Sequence, residues 1–376
     1  MLYEIHMIKN YPPTNLNRDD TGAPKSCVFG GVQRGRISSQ CQKRSWRTSE
    51  TFTNGNLGPM GIRTRKLPEL VCEMLTEKGI DESYMDAVKK KVSGLGNKEG
   101  KENDKAITTQ IIFYSKEDIE AITEMVLSSI DSAGSVKEFE NINAKTWQTY
   151  TKGVEMRPIT LDIALFGRMV TSDSFEDVEA AMQVGNAIST HKMSMESDYF
   201  TAIDDMVKGD SQENSGAGMV GDIEFNSCCY YFYAAIDTDQ LKHNLRNASD
   251  PDNLIKNALP AIIEAMAYTN PTGKQNSFAG HVLPEVVSVE IKNKKVPVNY
   301  ANAFAKPAKA NYDCSITQDS VKKLIEEIDL VDLKYGLEIE ERLWFALHNW
   351  GKPKEAKECE AFSDLLNQVS TSNTKA

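Results

Sequence analysis

The segment Arg18–Arg47 (RDDTGAPKSCVFGGVQRGRISSQCQKRSWR) constrains this chain more than any other stretch. Turn signals at Asp20-Thr21-Gly22 and Gly30-Gly31 lead into a short amphipathic helix. Ser39 is placed to cap that helix, and Gln42 three residues later completes a capping box. At 100° per residue, Gln40, Lys43, Arg44 and Arg47 share one face, while Cys41, Ser45, Thr48 and Phe52 gather on another. One side can therefore pack on a sheet while the other presents cations and an amide. Between Lys25 and Lys66 nine Lys or Arg face a single acid, Glu50, in a chain of net charge −11. A basic segment held inside an acidic protein points to a local phosphate site. The plainer reading, a solvated charged helix face, fits the spacing equally well.

The remaining composition excludes several classes. A chain of 376 residues can bury a large core, and 40% hydrophobic with 26% charged residues is a globular composition. No run of 18 apolar residues is present to span a membrane. The opening MLYEIHMIKNY has no basic leader or apolar core, so it does not read as a signal peptide. Seven cysteines, at 27, 41, 72, 228, 229, 314 and 359, form no CxxC spacing. That pattern suits neither a disulfide framework nor a zinc site and predicts reduced thiols in a cytoplasmic setting, and no cofactor is expected. The five histidines form no HxxxH or HExxH pair. A pI near 5.2 argues against nucleic-acid binding, and only the clustering of charge answers it.

Alternation predicts a half-buried strand over Leu2–Tyr11, stopped by Pro12-Pro13. Helices are expected at Leu67–Lys78, Tyr84–Val92 and Lys116–Ile130, the last capped by Ser115 with Asp118 three residues on. Thr160–Val170 reads as a central strand and Val178–Ile188 as a helix. A polar excursion runs to Gly221, and Asp222–Ile236 returns as a strand rich in Tyr and Phe. Asn253–Tyr268 reads as a helix, and Val286–Ile291 with Val296–Val298 as a hairpin. Ser320–Lys334 and Ile339–His348 read as helical, before a polar tail. An α+β sheet backed by helices accommodates this order.

Several stretches in order resemble the CasC family, the backbone subunits of the type I-E CRISPR Cascade complex. They are Asn17-Arg18-Asp19-Asp20, Phe29-Gly30-Gly31, Arg36-Ile37-Ser38-Ser39-Gln40 with Lys43-Arg44, Gly167-Arg168-Met169 and Ala187–His191. Phe200–Asp205, Glu224-Phe225 with Tyr231 and Tyr233, Gly273-Lys274-Gln275 and Tyr300–Phe304 continue the series over about residues 3–305. Cys41-Gln42 departs from the small and aliphatic residues expected there. The resemblance implies a ferredoxin-like, RNA-recognition-motif-like palm (1–56, 157–188 and 222–350). It also implies inserted helical fingers (57–156) and a β-hairpin thumb (189–221), with 351–376 left as a polar C-terminal tail.

It further implies a non-enzymatic protein that multimerises head to tail along a CRISPR guide RNA, with other Cascade subunits, and shows the guide bases to a target DNA strand. Phosphate contacts are expected from Arg18, Lys25, Arg34, Arg36, Ser38, Gln40, Lys43, Arg44 and Arg47, with Arg168 and Lys274 also on the RNA. In the family a methionine matching Met169 packs beside a displaced base, and Tyr199-Phe200 could offer a stacking surface. The plainer roles are core filler for Met169 and a hydrophobic hairpin anchor for Phe200. Two rivals remain. Asp19-Asp20 could hold Mg²⁺ in a metal-dependent ribonuclease of the type III kind, or pin their loop through turn hydrogen bonds. The chain could also be a general single-stranded RNA-binding protein.

Overall fold

A computed structural model describes residues 1–54, 57–150, 157–202 and 219–372. The far end of the polar excursion, 203–218, lies outside the described residues, as do 151–156 of the expected fingers and 373–376 of the tail. The strands are β1 (Leu2–Asn10), β2 (Ser26–Phe29), β3 (Val32–Ile37), β4 (Ile62–Thr64), β5 (Ile112–Tyr114), β6 (Met182–Val184) and β7 (Ala187–Ser189), then β8 (Glu196–Ala202), β9 (Met219–Phe225), β10 (Cys229–Asp237), β11 (Val286–Lys292), β12 (Glu341–Ala346) and β13 (Lys357–Glu358). The helices are α1 (Ser39–Arg47), α2 (Glu50–Thr53), α3 (Leu67–Glu77), α4 (Met85–Ser93), α5 (Lys116–Ala133), α6 (Val136–Glu140) and α7 (Ala144–Tyr150), then α8 (Leu161–Phe166), α9 (Thr238–Asn244), α10 (Pro251–Tyr268), α11 (Gln275–Phe278), α12 (Ile316–Tyr335) and α13 (Phe362–Ser372). None of the described helices is long and apolar enough to cross a membrane.

Two compact units divide the chain, and both α and β structure contribute to it. The first comprises Met1–Phe52, Val184–Ala235 and Leu259–Ala376. Its mixed sheet has the order β13-β12-β11-β1-β10-β7-β3-β2. β1 runs antiparallel to β11, β11 to β12, and β7 to both β10 and β3, while β12 and β13 are parallel. Because β1 is central, eight of its nine residues are buried, rather than one face of it. Leu2, Ile8, Tyr231, Val286 and Trp344 on one face pack with Tyr300, Phe304, Val321, Leu324 and Ile328. The second unit, Thr53–Gln183 with Ile236–Ala258, is centred on α3, α4 and α5. Ser115 and Asp118 cap α5 reciprocally, as the sequence pattern requires.

Several expected elements change type. Thr160–Val170 is not a strand. Asp162 Oδ1 accepts from Gly61 N, Thr160 Oγ1 and Ile163 N, and α8 winds up from it until Gly167, at φ +79°, ends the helix. An apolar run this short has no period that separates helix from strand. Val178–Ile188 is not a helix, because Ala187 and Ile188 pair with Ile37 and Arg36, and Ile188 also with Tyr231. The Asp222–Ile236 strand is broken at Asn226, whose backbone exchanges hydrogen bonds with Thr14. Val296–Val298 forms no hairpin with β11, which lies between β1 and β12. Ile339–His348 contains a strand, since Leu343 and Trp344 are buried in register with Val289 and Ser288. The polar tail carries α13, seated by Leu365 and Val369.

One row of the sheet is polar despite full burial. Glu4 stands opposite Glu290, and Glu290 opposite Arg342. Lys292 bridges Glu4 and Glu290, Arg342 joins Glu290 to Asp332, and Tyr233 and Tyr300 donate to the two glutamates. His6 lies among them with Nδ1 2.8 Å from Tyr231 Oη. Burial, helped by Lys292 and Arg342 and opposed by Glu290, lowers the His6 imidazole to about 4. Burial alone would raise Glu290, but His6, Arg342 and Lys292 outweigh it and hold the carboxyl at about 2. Burial raises the Glu4 carboxyl, which therefore favours the fold at low pH and opposes the other two.

The unfolded chain takes a proton at His6 near pH 6.5 and the folded one only near 4. Acidification across that window should therefore remove about 3 kcal/mol through this group. Glu290 should add a further loss between about pH 4.5 and 2. His6→Gln is expected to flatten the first window when urea midpoints are compared at pH 7 and pH 4. Equal losses in both proteins would show that His6 does not govern it.

Candidate nucleic-acid interface

The candidate site is assembled from three pieces of the first unit: the loop 15–25, helix α1 and the turn 271–275. Asn17 Oδ1 accepts from Ser38 N at 2.8 Å, and Lys25 N donates to Asn17 O. These bonds fasten the loop to the start of α1. Within it Asp19 Oδ1 accepts from Thr21 N, Thr21 Oγ1 and Ala23 N. Those bonds, led by the Thr21 hydroxyl, keep the Asp19 carboxyl below the usual range. The N-cap of α1 is Ser38, one residue earlier than expected, and its Oγ accepts from Cys41 N. Gln42 makes no capping box. Its amide points inward and donates to Ile37 O and Gly185 O, each at 3.0 Å.

The inward face of α1 is Gln42, Ser45 and Trp46; of the expected face Ser45 and, past the helix, Phe52 are buried, whereas Cys41 is half-buried and Thr48 exposed. Trp46 decides this rotation, because a large ring outbids small side chains for burial. Gln40 and Arg44 are exposed as a result, while Lys43 and Arg47 are half-buried. Arg44 and Arg47 lie in the last turn, where the helix dipole favours cations.

A cleft of about 510 Å³ opens between these pieces, lined by Leu16–Gly22, Cys41, Arg44, Ser45, Thr272 and Gly273. Gly273 must be glycine, since a Cβ there would lie 2.3 Å from the carbonyl oxygen of Leu16. Lys274 follows in the left-handed region at φ 51°, held by Gln275 donating to Pro271 O at 2.8 Å. Burial pushes the Cys41 thiol up, while Lys25 and Arg44 pull it down. Lys43 is lowered by burial alone, with no carboxylate to restore it. Among the described residues, Arg18, Lys25, Lys43, Arg44 and Lys274 have no carboxylate within ion-pair distance. Cations without ion-pair partners form a surface that an anion would complete.

The other expected contacts divide. Arg36 reaches Asn186 Oδ1 at 3.4 Å and keeps partial exposure. Ser38 is buried as the helix cap, so it positions the site rather than facing solvent. Arg34 is fully buried, donating to the carbonyls of Phe29, Ser189 and Phe304. No surface is left on it for a phosphate. Arg168 is also buried, paired at 2.6 Å with Asp118 inside the second unit. Both corrections have one cause: a guanidinium can satisfy several backbone carbonyls at once, and sequence does not say which way it points.

Met169 is 90% exposed in the second unit. In the first unit β8 and β9 form an isolated antiparallel ribbon in which Tyr199 pairs with Asp222 and Phe200 with Gly221. Tyr199 is exposed, whereas the half-buried Phe200 ring lies across Gly221. Sequence reasoning missed the approach of Thr272-Gly273 to the loop. Its one signal was the glycine before Lys274.

The model of the family Cas_CT1975, CT1975-like protein, matches residues 3–370. A solved chain described as "CRISPR RNA-guided surveillance complex, pre-nicking" superposes with a TM-score of 0.80 at 23% identity, covering 99% of this chain and 100% of that one. Another, from a "CRISPR RNA-guided surveillance complex", gives 0.62 at 20% identity and covers 99% of each. At these identities the likeness is one of fold. No curated protein sequence matches the chain.

Proposed function

The chain belongs to the family of CT1975-like proteins, and from that premise we propose that it is a guide-RNA-binding backbone subunit of a type I-E-like CRISPR surveillance complex. The observation that carries this reading is that, among the described residues, Arg18 and Arg44, which line the cleft with Asp19 and Asp20, and Lys25, Lys43 and Lys274 have no carboxylate within ion-pair distance. Such a surface holds phosphates without reading bases, and leaves sequence recognition to pairing between guide and target. The strand order β11-β1-β10-β7, with α1 after β1 and α10 before β11, supports reading the first unit as a ferredoxin-like palm. The β8–β9 ribbon is the candidate thumb and the α3–α5 region the candidate fingers. Copies of the chain would line up head to tail, with their number set by the RNA and by other subunits at the ends. Target DNA would be met through the guide, in the cytoplasm.

Coexpression with its genomic neighbours tests the reading: the purified protein should carry RNA of one uniform length. Heterogeneous RNA would favour a general single-stranded RNA-binding protein instead. The protein is further proposed to be non-catalytic. The Asp19 carboxylate is already engaged in pinning its own loop, which leaves it poorly placed as a metal ligand. Asp19→Asn with Asp20→Asn should therefore leave target RNA as intact as the wild type does in Mg²⁺. Wild-type cleavage that disappears in the double variant would move the protein to the metal-dependent ribonucleases.

A further inference from the structure

We propose that Ile111 and Arg63 complete a nucleobase-binding surface beside Met169 in the second unit, Ile111 resting against a base and Arg63 meeting the adjoining phosphate. The segment carrying Met169 is anchored from behind. Arg168 exchanges backbone hydrogen bonds with Val178 and buries its guanidinium on Asp118, Glu176 O and Phe113 O. Val170 N donates to Asp177 at 2.6 Å. The Met169 side chain nevertheless projects into solvent. A rigid support under an exposed apolar side chain is a pre-organised contact and not a frayed loop.

The stretch 110–113 runs alongside it. Gln110 donates to Thr171 Oγ1 at 3.0 Å, and Arg168 to Phe113 O at 3.1 Å, so the two segments are tied at both ends. Between those ties lies Ile111, itself 56% exposed. Ile111 precedes β5, and alternation puts it on the face of Phe113, which stands opposite Arg63 in β4. Arg63 is exposed, and Arg65, on the same face, is steadied by its Nε donating to Thr108 O. The surface is thus two exposed aliphatic side chains bordered by cations.

Two side chains are far too little apolar area for a stable protein partner, which needs on the order of 1,000 Å². They suit one flat, unstacked base, whose phosphate accounts for the neighbouring arginine. This assignment rests on the RNA-binding reading above and extends it to residues outside the cleft.

The test uses the full-length protein and an RNA carrying 2-aminopurine, whose fluorescence rises when a base leaves its stack. Wild type should raise the signal on binding. Ile111→Ser should lower that rise to roughly half, and Met169→Ser likewise, while either changes the RNA Kd less than about threefold. Arg63→Ala should weaken binding and lower the log K against log salt slope by about 0.7. Ile111 is a surface residue, so unchanged unfolding midpoints will exclude misfolding. A second arm, with unlabelled RNA and the 2-aminopurine placed in a complementary DNA strand, distinguishes which strand supplies the base. A wild-type rise with labelled RNA identifies the guide, and one seen only with labelled DNA identifies the target. An Ile111→Ser signal equal to wild type in both arms overturns the inference and leaves the RNA-binding reading intact. A wild type that binds no RNA overturns both.

Discussion

Arg34→Ala should destabilise the first unit by about 4 kcal/mol, because it removes a buried cation that satisfies several carbonyls at once. The side chain reaches Phe29 O at 3.2 Å, Ser189 O at 3.1 Å and Phe304 O at 2.6 Å. It thereby joins the β2–β3 turn, the end of β7 and the segment after Tyr300. Truncation leaves those carbonyls buried without donors and opens a cavity under the turn. Gly30 shows how tightly these pieces meet: a Cβ there would lie 1.9 Å from Ala305 O. Lysine is no substitute, since a single ammonium cannot span three divergent acceptors. Arg34→Lys should recover only part of the loss. Urea midpoints for the three proteins measure this, and near-equal midpoints would mean that the guanidinium is not the clasp described here. Whatever the loss in stability, folded Arg34→Ala should keep the wild-type salt dependence of RNA binding, because Arg34 touches no phosphate.

That contrast shows where the sequence was legible and where it was not. Capping signals are local, so Ser115 and Asp118 marked the start of α5 correctly. The basic loop and helix were legible for the same reason: turn residues and 3.6-residue periodicity act over a few positions. Orientation was harder. Trp46 and Gln42 rotated α1 by about one position, and the partners that draw Gln42 inward, Ile37 O and Gly185 O, include one 143 residues away. Strands were misread wherever pairing rather than pattern decides them. Leu343 and Trp344 lie in a stretch with helical spacing, yet they take their conformation from β11. Arg34 is expected on the RNA from charge pattern and Arg168 from the resemblance, and neither reports which way a side chain points. Met169 and the exposed cations of α1 owe their visibility to motifs. Ile111 belongs to none and emerged only from its neighbours in space.

The proposed function requires that the cleft cations hold phosphates, and Arg18 with Arg44 line that cleft directly. Both are exposed and neither has a carboxylate partner among the described residues, so removing them should leave the fold untouched. Losing two charge-assisted contacts should weaken single-stranded RNA binding by about 100-fold. The decisive measurement is affinity against salt for wild type and the Arg18→Ala/Arg44→Ala double variant. A change in slope counts phosphate contacts, whereas a change in affinity alone does not. Lys242, paired with Asp252 on the surface at 2.8 Å, supplies an exposed control. The account predicts a slope shallower by about 1.4 in the double variant and an unchanged slope in Lys242→Ala. A double variant with the wild-type slope and affinity would contradict it, and α1 would then be a solvated basic face.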